Sequence, residues 1–378
     1  MIAIRPLSAA SAVVLLICWA GSLPAQTTGP RAASPWTMQK SSTTASLRGI
    51  HAIGSSTAWA SGTNGTVLRT QDGGTTWQVC TVPPGAEKLD FRGVWAWNEN
   101  TAVVMSSGPG DQSRLYQTTD GCSHWKLLYT NPDKDGFWDA VVFSDRNRGF
   151  LLGDPVSGRF VLLFTLDGGK SWAHADTKSA GLDTGETKSG AFAASNSSMI
   201  ITSSGFPVFG TGGPNGAVLY TGSGVCTSLM DLRTCLENGL RFDTEKLPLA
   251  GDTASAGIFS IATNAGEVNM VAAGGDYEKP NESSGTAVRW WSQFSQWKAA
   301  EKPPHGYRSA VAWNPDLDAW IAAGTNGSDI SYDDGKNWQP LDSTPEGGNW
   351  NAISLPWVVG SKGRIARLNP KLLKDRAQ

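Results

Sequence analysis

One nine-residue string constrains this chain more than any other feature. "RTQDGGTTW" (Arg69–Trp77) returns as "QTTDGCSHW" (Gln117–Trp125), "FTLDGGKSW" (Phe164–Trp172) and "ISYDDGKNW" (Ile330–Trp338). The shared frame is a hydroxyl residue, any residue, Asp, any, Gly, two of any, then Trp. Self-similarity at a fixed period calls for equal units that bury their faces against one another. The aspartates Asp72, Asp120 and Asp167 are 48 and 47 residues apart, and Asp333 follows after 166 more. That last gap holds three units with longer loops.

Two further landmarks recur. An apolar stretch opens each unit: "LRGIHAI" at Leu47, "FRGVWAW" at Phe91, "FWDAVVF" at Phe137 and "YRSAVAW" at Tyr307, with weaker copies at Lys188, Ser255 and Trp350. A second stretch ending in Gly follows each, as in "AWASG", "GFLLG" and "AWIAAG". Seven units of four short strands predict an all-β, seven-bladed propeller of four-stranded antiparallel blades. The fifth unit keeps Trp297 with Ser292 in the Asp slot. The fourth has Ser223 there, followed by an insertion at about 225–251. The seventh lacks a fourth strand, and Trp36 in the N-terminal "SPWTMQKSS" stands where a box Trp should be. The N-terminal strand is therefore expected to complete blade seven and close the ring, which removes exposed sheet edges.

Composition agrees with this reading. The 378 residues include 44 Gly and 17 Trp, which suits short strands and turns. A net charge of −2 gives no electrostatic case for nucleic acid. Residues 1–25 read as a signal peptide cut near Ala25. Arg5 comes early and the apolar run is short for a membrane span, so no stable membrane insertion is expected after cleavage. A secreted or periplasmic protein follows, with residues 26–46 as an N-terminal segment, 47–370 as the propeller and 371–378 as a tail. Four cysteines remain after cleavage, and three pairings are open. Cys226 with Cys235 closes a short loop; Cys80 with Cys122 would then link neighbouring repeats. No metal motif is visible.

The box reads as structural. Asp72, Asp120, Asp167 and Asp333 can accept the N–H groups of their own turns, and the Gly permits positive φ. Trp77, Trp125, Trp172 and Trp338 fill the space between sheets. Four copies around a ring lie too far apart to converge on one substrate. Cys122 replaces the Gly in the second copy and puts that turn's geometry in question.

Binding residues are expected on the other face, at the starts of the first strands and the loops between strands two and three. Arg48, Arg92 and Arg308 share one slot in blades one, two and six, and Trp138 fills it in blade three, followed by Asp139. The loops add Asp111, Asp154, Asp276, Tyr277, Lys279 and Glu282. Arginines beside carboxylates and aromatics on a concave rim suit a protein or anionic ligand; a solvated rim of Arg–Asp pairs is the plainer alternative. "GTGGPNG" lacks the spacing of a dinucleotide fingerprint, and no cofactor is expected.

The box resembles the Asp-box, or BNR repeat, of sialidase-like propellers. Over residues of about 34 to 370, "RGI…AWASGTNGTVLRTQDGGTTW", "YRSAVAW…AGTNGSDISYDDGKNW" and "WVVGSKGRIARL" resemble the family of the photosystem II stability and assembly factor. That resemblance implies an exported, cofactor-free, seven-bladed scaffold that assists assembly of membrane redox complexes, with Arg48, Arg92 and Arg308 on its binding face; a propeller can act alone, so a monomer is expected. The alternative is a sialidase-like glycoside hydrolase. It would use the three arginines, Tyr277 or Tyr307, and a carboxylate pair from Asp139, Asp154 and Asp276 at a defined separation.

Overall fold

The computed structural model describes residues 34–175, 181–184, 188–224, 232–291, 295–342 and 347–374. The expected signal peptide, Ser292 and Cys226 lie outside the described residues.

Strand β1 (Trp36–Gln39) precedes blade one, which is β2 (Leu47–Ile53), β3 (Thr57–Gly62), β4 (Val67–Thr70) and β5 (Gln78–Val79). Blade two is β6 (Phe91–Ala96), β7 (Ala102–Ser106), β8 (Arg114–Thr118) and β9 (Lys126–Thr130). Blade three is β10 (Trp138–Phe143), β11 (Gly149–Val156), β12 (Arg159–Thr165) and β13 (Ala173–His174). Blade four is β14 (Met199–Ile201), β15 (Pro207–Thr211), β16 (Val218–Gly224) and β17 (Leu240–Lys246). Blade five is β18 (Ala256–Thr263), β19 (Asn269–Asp276), β20 (Ala287–Trp291) and β21 (Gln296–Ala299). Blade six is β22 (Ala310–Asn314), β23 (Ala319–Gly324), β24 (Gly327–Ser331) and β25 (Gln339–Pro340). Blade seven is β26 (Trp350–Ser354), β27 (Trp357–Gly360) and β28 (Ile365–Leu368), completed by β1. All seven sheets are four-stranded and antiparallel.

The N-terminal strand closes the ring: Trp36 pairs with Leu368 and Gln39 with Ile365. Trp36 is buried and donates its indole N–H to Ser328 Oγ of blade six, 2.9 Å away. Inner strands are covered on both faces by neighbouring blades, so β7 and β23 are buried at every position and do not alternate. Trp59, Trp320 and Trp357 occupy matching second strands with no exposure.

The glycine that ends the second stretch has a steric cause. A Cβ on Gly62 would lie 2.4 Å from Ser46 O, and one on Gly324 would lie 2.1 Å from Tyr307 O. The backbone entering the first strand passes directly over these positions, so only Gly fits.

The four boxes are superposable in their bonding. Thr70, Thr118, Thr165 and Ser331 each donate to the box Asp and accept from the N–H four residues on, at 2.9–3.0 Å. Each Asp then accepts from the backbone N–H four residues on: Thr76, His124, Ser171 and Asn337, at 2.8–3.0 Å. The Thr76 hydroxyl and N–H hold the Asp72 carboxyl down at about 2, and the His124 ring and N–H do the same for Asp120. Cys122 keeps the turn despite replacing Gly: its φ is 66°, and its N–H still reaches Thr118. A left-handed non-glycine residue costs about 1–2 kcal/mol. Here it carries a disulfide to Cys80, across a sequence separation of 42 with a Cα–Cα distance of 5.4 Å. Trp77 and Trp338 are buried; Trp125 and Trp172 are half-buried.

Blade four departs from the expectation twice. The segment read as an insertion carries its outer strand, because β17 pairs with β16 along Gly224–Leu240 through Val218–Lys246. Ser223 lies inside β16 opposite Arg241, not in a turn. The stretch "KSGAFAA" is not the first strand: "MII" at Met199 is. Residues 190–198 instead enter the centre of the ring. Asn196 bonds Val141 N and O and Val94 O, Ser195 bonds Ser309 O, and Ser197 bonds Ser260 Oγ. Those partners belong to blades three, two, six and five, so this segment plugs the channel.

Cys235 is disulfide-bonded, while its expected partner Cys226 lies outside the described residues.

Candidate functional site

The first-strand starts converge on one mouth of the channel, and register decides which side chains face it. In blade one, Leu47 pairs with Gly62 and Gly49 with Ser61, so Arg48 is bulged out of the ladder. The same shift frees Arg92, Asp139, Phe259 and Asn351. Bulges of this kind re-aim a side chain. Blade six differs by one residue from the sequence reading. Gly324 faces Tyr307 O as Gly62 faces Ser46 O, so Arg308 takes the place of Leu47 and Ser309 the place of Arg48.

This slip corrects two expected site residues. Arg308 has no exposure and is locked by Asp329, with Nε to Oδ2 at 2.8 Å and a second, shorter contact from Nη2. Its Nη1 donates to Asn326 Oδ1 and to Tyr307 O, both at 2.6 Å. Trp138 also falls in the Leu47 position. It is buried in the core and stacks on Tyr129 with centroids 5.7 Å apart. Neither side chain is exposed on the mouth.

Three sectors remain around the mouth. Blades one and two supply cations. Arg92 donates from Nε to Asp90 Oδ2 at 2.9 Å and from Nη1 to Ala193 O at 3.4 Å. Arg48 lies beside it, its Nε buried without a hydrogen-bond partner. Burial, and then the like charge of Arg92, lower the Arg48 pKa. Blades four to six supply an aromatic wall. Phe192 stacks on Phe259 at 3.8 Å, and Tyr307 and Tyr277 meet Phe259 edge-on at 4.8 and 6.2 Å. Tyr277 is 49% exposed, whereas Tyr307 is buried and its hydroxyl pKa is pushed up by that burial. Blade three supplies acids. Burial raises Asp139 well above the usual carboxylate range, with Asp154 adding to it, and raises Asp154 to about 6.

Asp276 is buried at the base of its loop. It accepts Glu278 N at 3.0 Å and pairs with Lys279 Nζ at 3.5 Å, so it braces the loop and Lys279 stays exposed. For the carboxylate pair a glycosidase needs, the structure brings Asp139 and Asp154 together and leaves Asp276 in another sector. Both Asp139 oxygens are sealed from solvent, so Asp139 cannot reach a glycosidic oxygen. Arg308 cannot join Arg48 and Arg92 on a substrate carboxylate. Among the described residues, no three His, Cys, Asp or Glu gather as a metal site, and no helix is long and apolar enough to cross a membrane.

Sequence reasoning missed Phe259, Asp90 and Phe192. Anchoring each unit on the second-strand Gly instead of the first-strand Arg would have found Phe259 and demoted Arg308 and Trp138. Nothing in the sequence signalled that Phe192 belongs to a plug.

The fold and the mouth define a seven-bladed propeller with a plugged channel. No family model matches the chain, and no curated protein matches it. Solved structures do. YCF48 bound to a D1 peptide is 16% identical with a TM-score of 0.58, covering 89% of this chain and 96% of that one. YCF48 from Cyanidioschyzon merolae is 17% identical with a TM-score of 0.61, covering 90% and 100%. The extracellular domain of a one-component system, BT4673 from B. thetaiotaomicron, is 13% identical with a TM-score of 0.57, covering 89% of this chain and 40% of that one. At these identities the likeness is one of fold.

Proposed function

We propose that this chain is an exported, non-catalytic propeller that holds a peptide segment of a protein partner against the arginine-bearing mouth, in the manner of an assembly factor. The observation that carries this reading is Arg48. A half-buried guanidinium with an unpartnered Nε, beside a second arginine and across from an aromatic wall, is prepared for an anionic group. The part of the half-buried guanidinium that remains exposed is where a ligand carboxylate could pair with it. The likeness to a YCF48 bound to a D1 peptide supports a peptide as the ligand class. The N-terminal residues 1–25 support export.

The test is affinity capture from native envelope extract, comparing the wild type with an Arg48→Glu/Arg92→Glu variant of matching melting curve. Arg308 is left intact because its role is internal. A partner captured only by the wild type agrees with the proposal. Equal capture by both proteins removes it.

A further inference from the structure

Beside the arginine sector, between blade three and the plug, lies a cleft of about 500 Å³. Asp154, Asp135, Lys188, Phe137, Phe192 and Gly190 line it. It is continuous with the mouth. Phe192 also belongs to the aromatic wall, and Arg92 lies over the Phe137 ring at 5.9 Å.

The chemistry of this cleft is opposite to that of Arg48. Asp154 Oδ1 accepts the Ala191 N–H at 2.9 Å, and its second oxygen has no hydrogen-bond partner among the described residues. Gly190 keeps the approach open, since a Cβ there would sit 3.0 Å from Asp154 Oδ1. Behind Asp154 stands Asp139, 1% exposed, with both oxygens unpartnered. Asp139 occupies the bulge slot that Arg48 and Arg92 hold in their blades, but it is sealed beneath the cleft and does not line it, so Asp154 is the carboxylate a ligand would meet. The cations nearby do not cancel it. Arg92 is committed to Asp90 and Ala193 O, and Lys188 and Asp135, both exposed, line the cleft as well.

We propose that this cleft is a subsite for an organic cation, the ammonium or guanidinium of a basic side chain, held by Asp154 between the rings of Phe137 and Phe192. A carboxylate flanked by aromatic faces is the usual chemistry of ammonium recognition. Among the described residues no three His, Cys, Asp or Glu gather here as they would to hold a metal ion. The inference deepens the peptide-binding reading: the ligand would present an acidic group to Arg48 and a basic one to Asp154. The upward displacement of Asp154 to about 6 adds a pH dependence, since the cation needs the ionised carboxylate.

The test uses the full chain, calorimetry and two probes, N-acetyl-lysine methylamide and N-acetyl-glutamate methylamide. The lysine probe is expected to bind at pH 7.5 in the millimolar range. Its binding should weaken by about tenfold in Asp154→Asn. It should weaken by about tenfold again in the wild type at pH 5. Gly190→Ala, which crowds Asp154 without changing charge, should weaken it too. Arg48→Glu should abolish binding of the glutamate probe, while the lysine probe still binds, at least as tightly as to the wild type. Equal lysine binding by Asp154→Asn overturns the subsite, and so does heat from calcium chloride with none from lysine. A glutamate probe indifferent to Arg48→Glu overturns the arginine reading alone, because the lysine signal does not pass through Arg48.

Discussion

The two faces of the ring use equivalent positions in opposite ways. On the box face, four turns repeat one bonding pattern to within 0.2 Å, and even the Cys122 substitution keeps it. On the mouth face, six equivalent slots hold Arg48, Arg92, Asp139, Phe259, Ser309 and Asn351. Repetition is what stability asks of identical joints. Divergence sorted into a basic, an acidic and an aromatic sector is what recognition asks of one surface. The contrast also appears in the acids. Box aspartates are held ionised by hydrogen bonds, while Asp139 and Asp154 on the mouth face are pushed toward neutrality by burial.

The largest test of this contrast is on the ring itself. Removing residues 34–40 takes away β1 and should abolish the cooperative melting transition. The milder Trp36→Ala should cost about 3–5 kcal/mol by denaturant titration. A melting curve unchanged by the deletion would show that closure does not depend on β1.

Next is the one-residue slip. Arg308→Ala removes the arginine that binds Asp329 Oδ2 and leaves the buried Asp329 carboxylate, among the described residues, with only the His305 contact at 2.8 Å, so it should cost about 3–5 kcal/mol. Arg48→Ala and Arg92→Ala should each stay within about 1 kcal/mol of the wild type. Comparable losses for all three would return Arg308 to the binding set.

The disulfide separates geometry from covalent linkage. Cys122→Ala should lose about 2–4 kcal/mol. Cys122→Gly should lose about 1 kcal/mol less, because Gly accepts the left-handed backbone. Identical values would mean that the φ of 66° carries no cost.

The acids make the smallest and most selective prediction. Asp72 and Asp120 have folded values near 2, below their ordinary 3.8, so their stabilisation is present above pH 4 and lost as pH falls toward 2. Asp154 has the opposite sign. With a folded value near 6, it favours folding most below pH 4, and that advantage is lost as pH rises through 6. Asp154→Asn should therefore raise stability at pH 7 by roughly 1–3 kcal/mol. Melting curves from pH 3 to pH 8 would check both signs. A variant that is destabilised at pH 7 would place Asp154 among structural acids.

Blade number, strand order, ring closure and the Cys80–Cys122 link were legible because turns and inter-blade contacts repeat. The second-strand Gly was visible too, and its cause is a backbone passing within 2.4 Å of Gly62's missing Cβ. The mouth was only partly legible. An Arg one residue out of register looks the same in sequence, yet Arg308 is buried where Arg48 faces the channel. Blade four was misread because its inner segment left the ladder for the ring axis. Hydrogen bonds from Ser195, Asn196 and Ser197 to four other blades leave no local sequence pattern.

The most direct measurement is site-specific photocrosslinking in native envelope extract. One probe would stand at Tyr277 on the mouth and one at Thr75 in an exposed box turn. A discrete protein adduct is expected from Tyr277 that disappears in the Arg48→Glu/Arg92→Glu background, and none from Thr75. An adduct from Thr75 alone, or one from Tyr277 that survives the double substitution, would contradict binding at the arginine-bearing mouth.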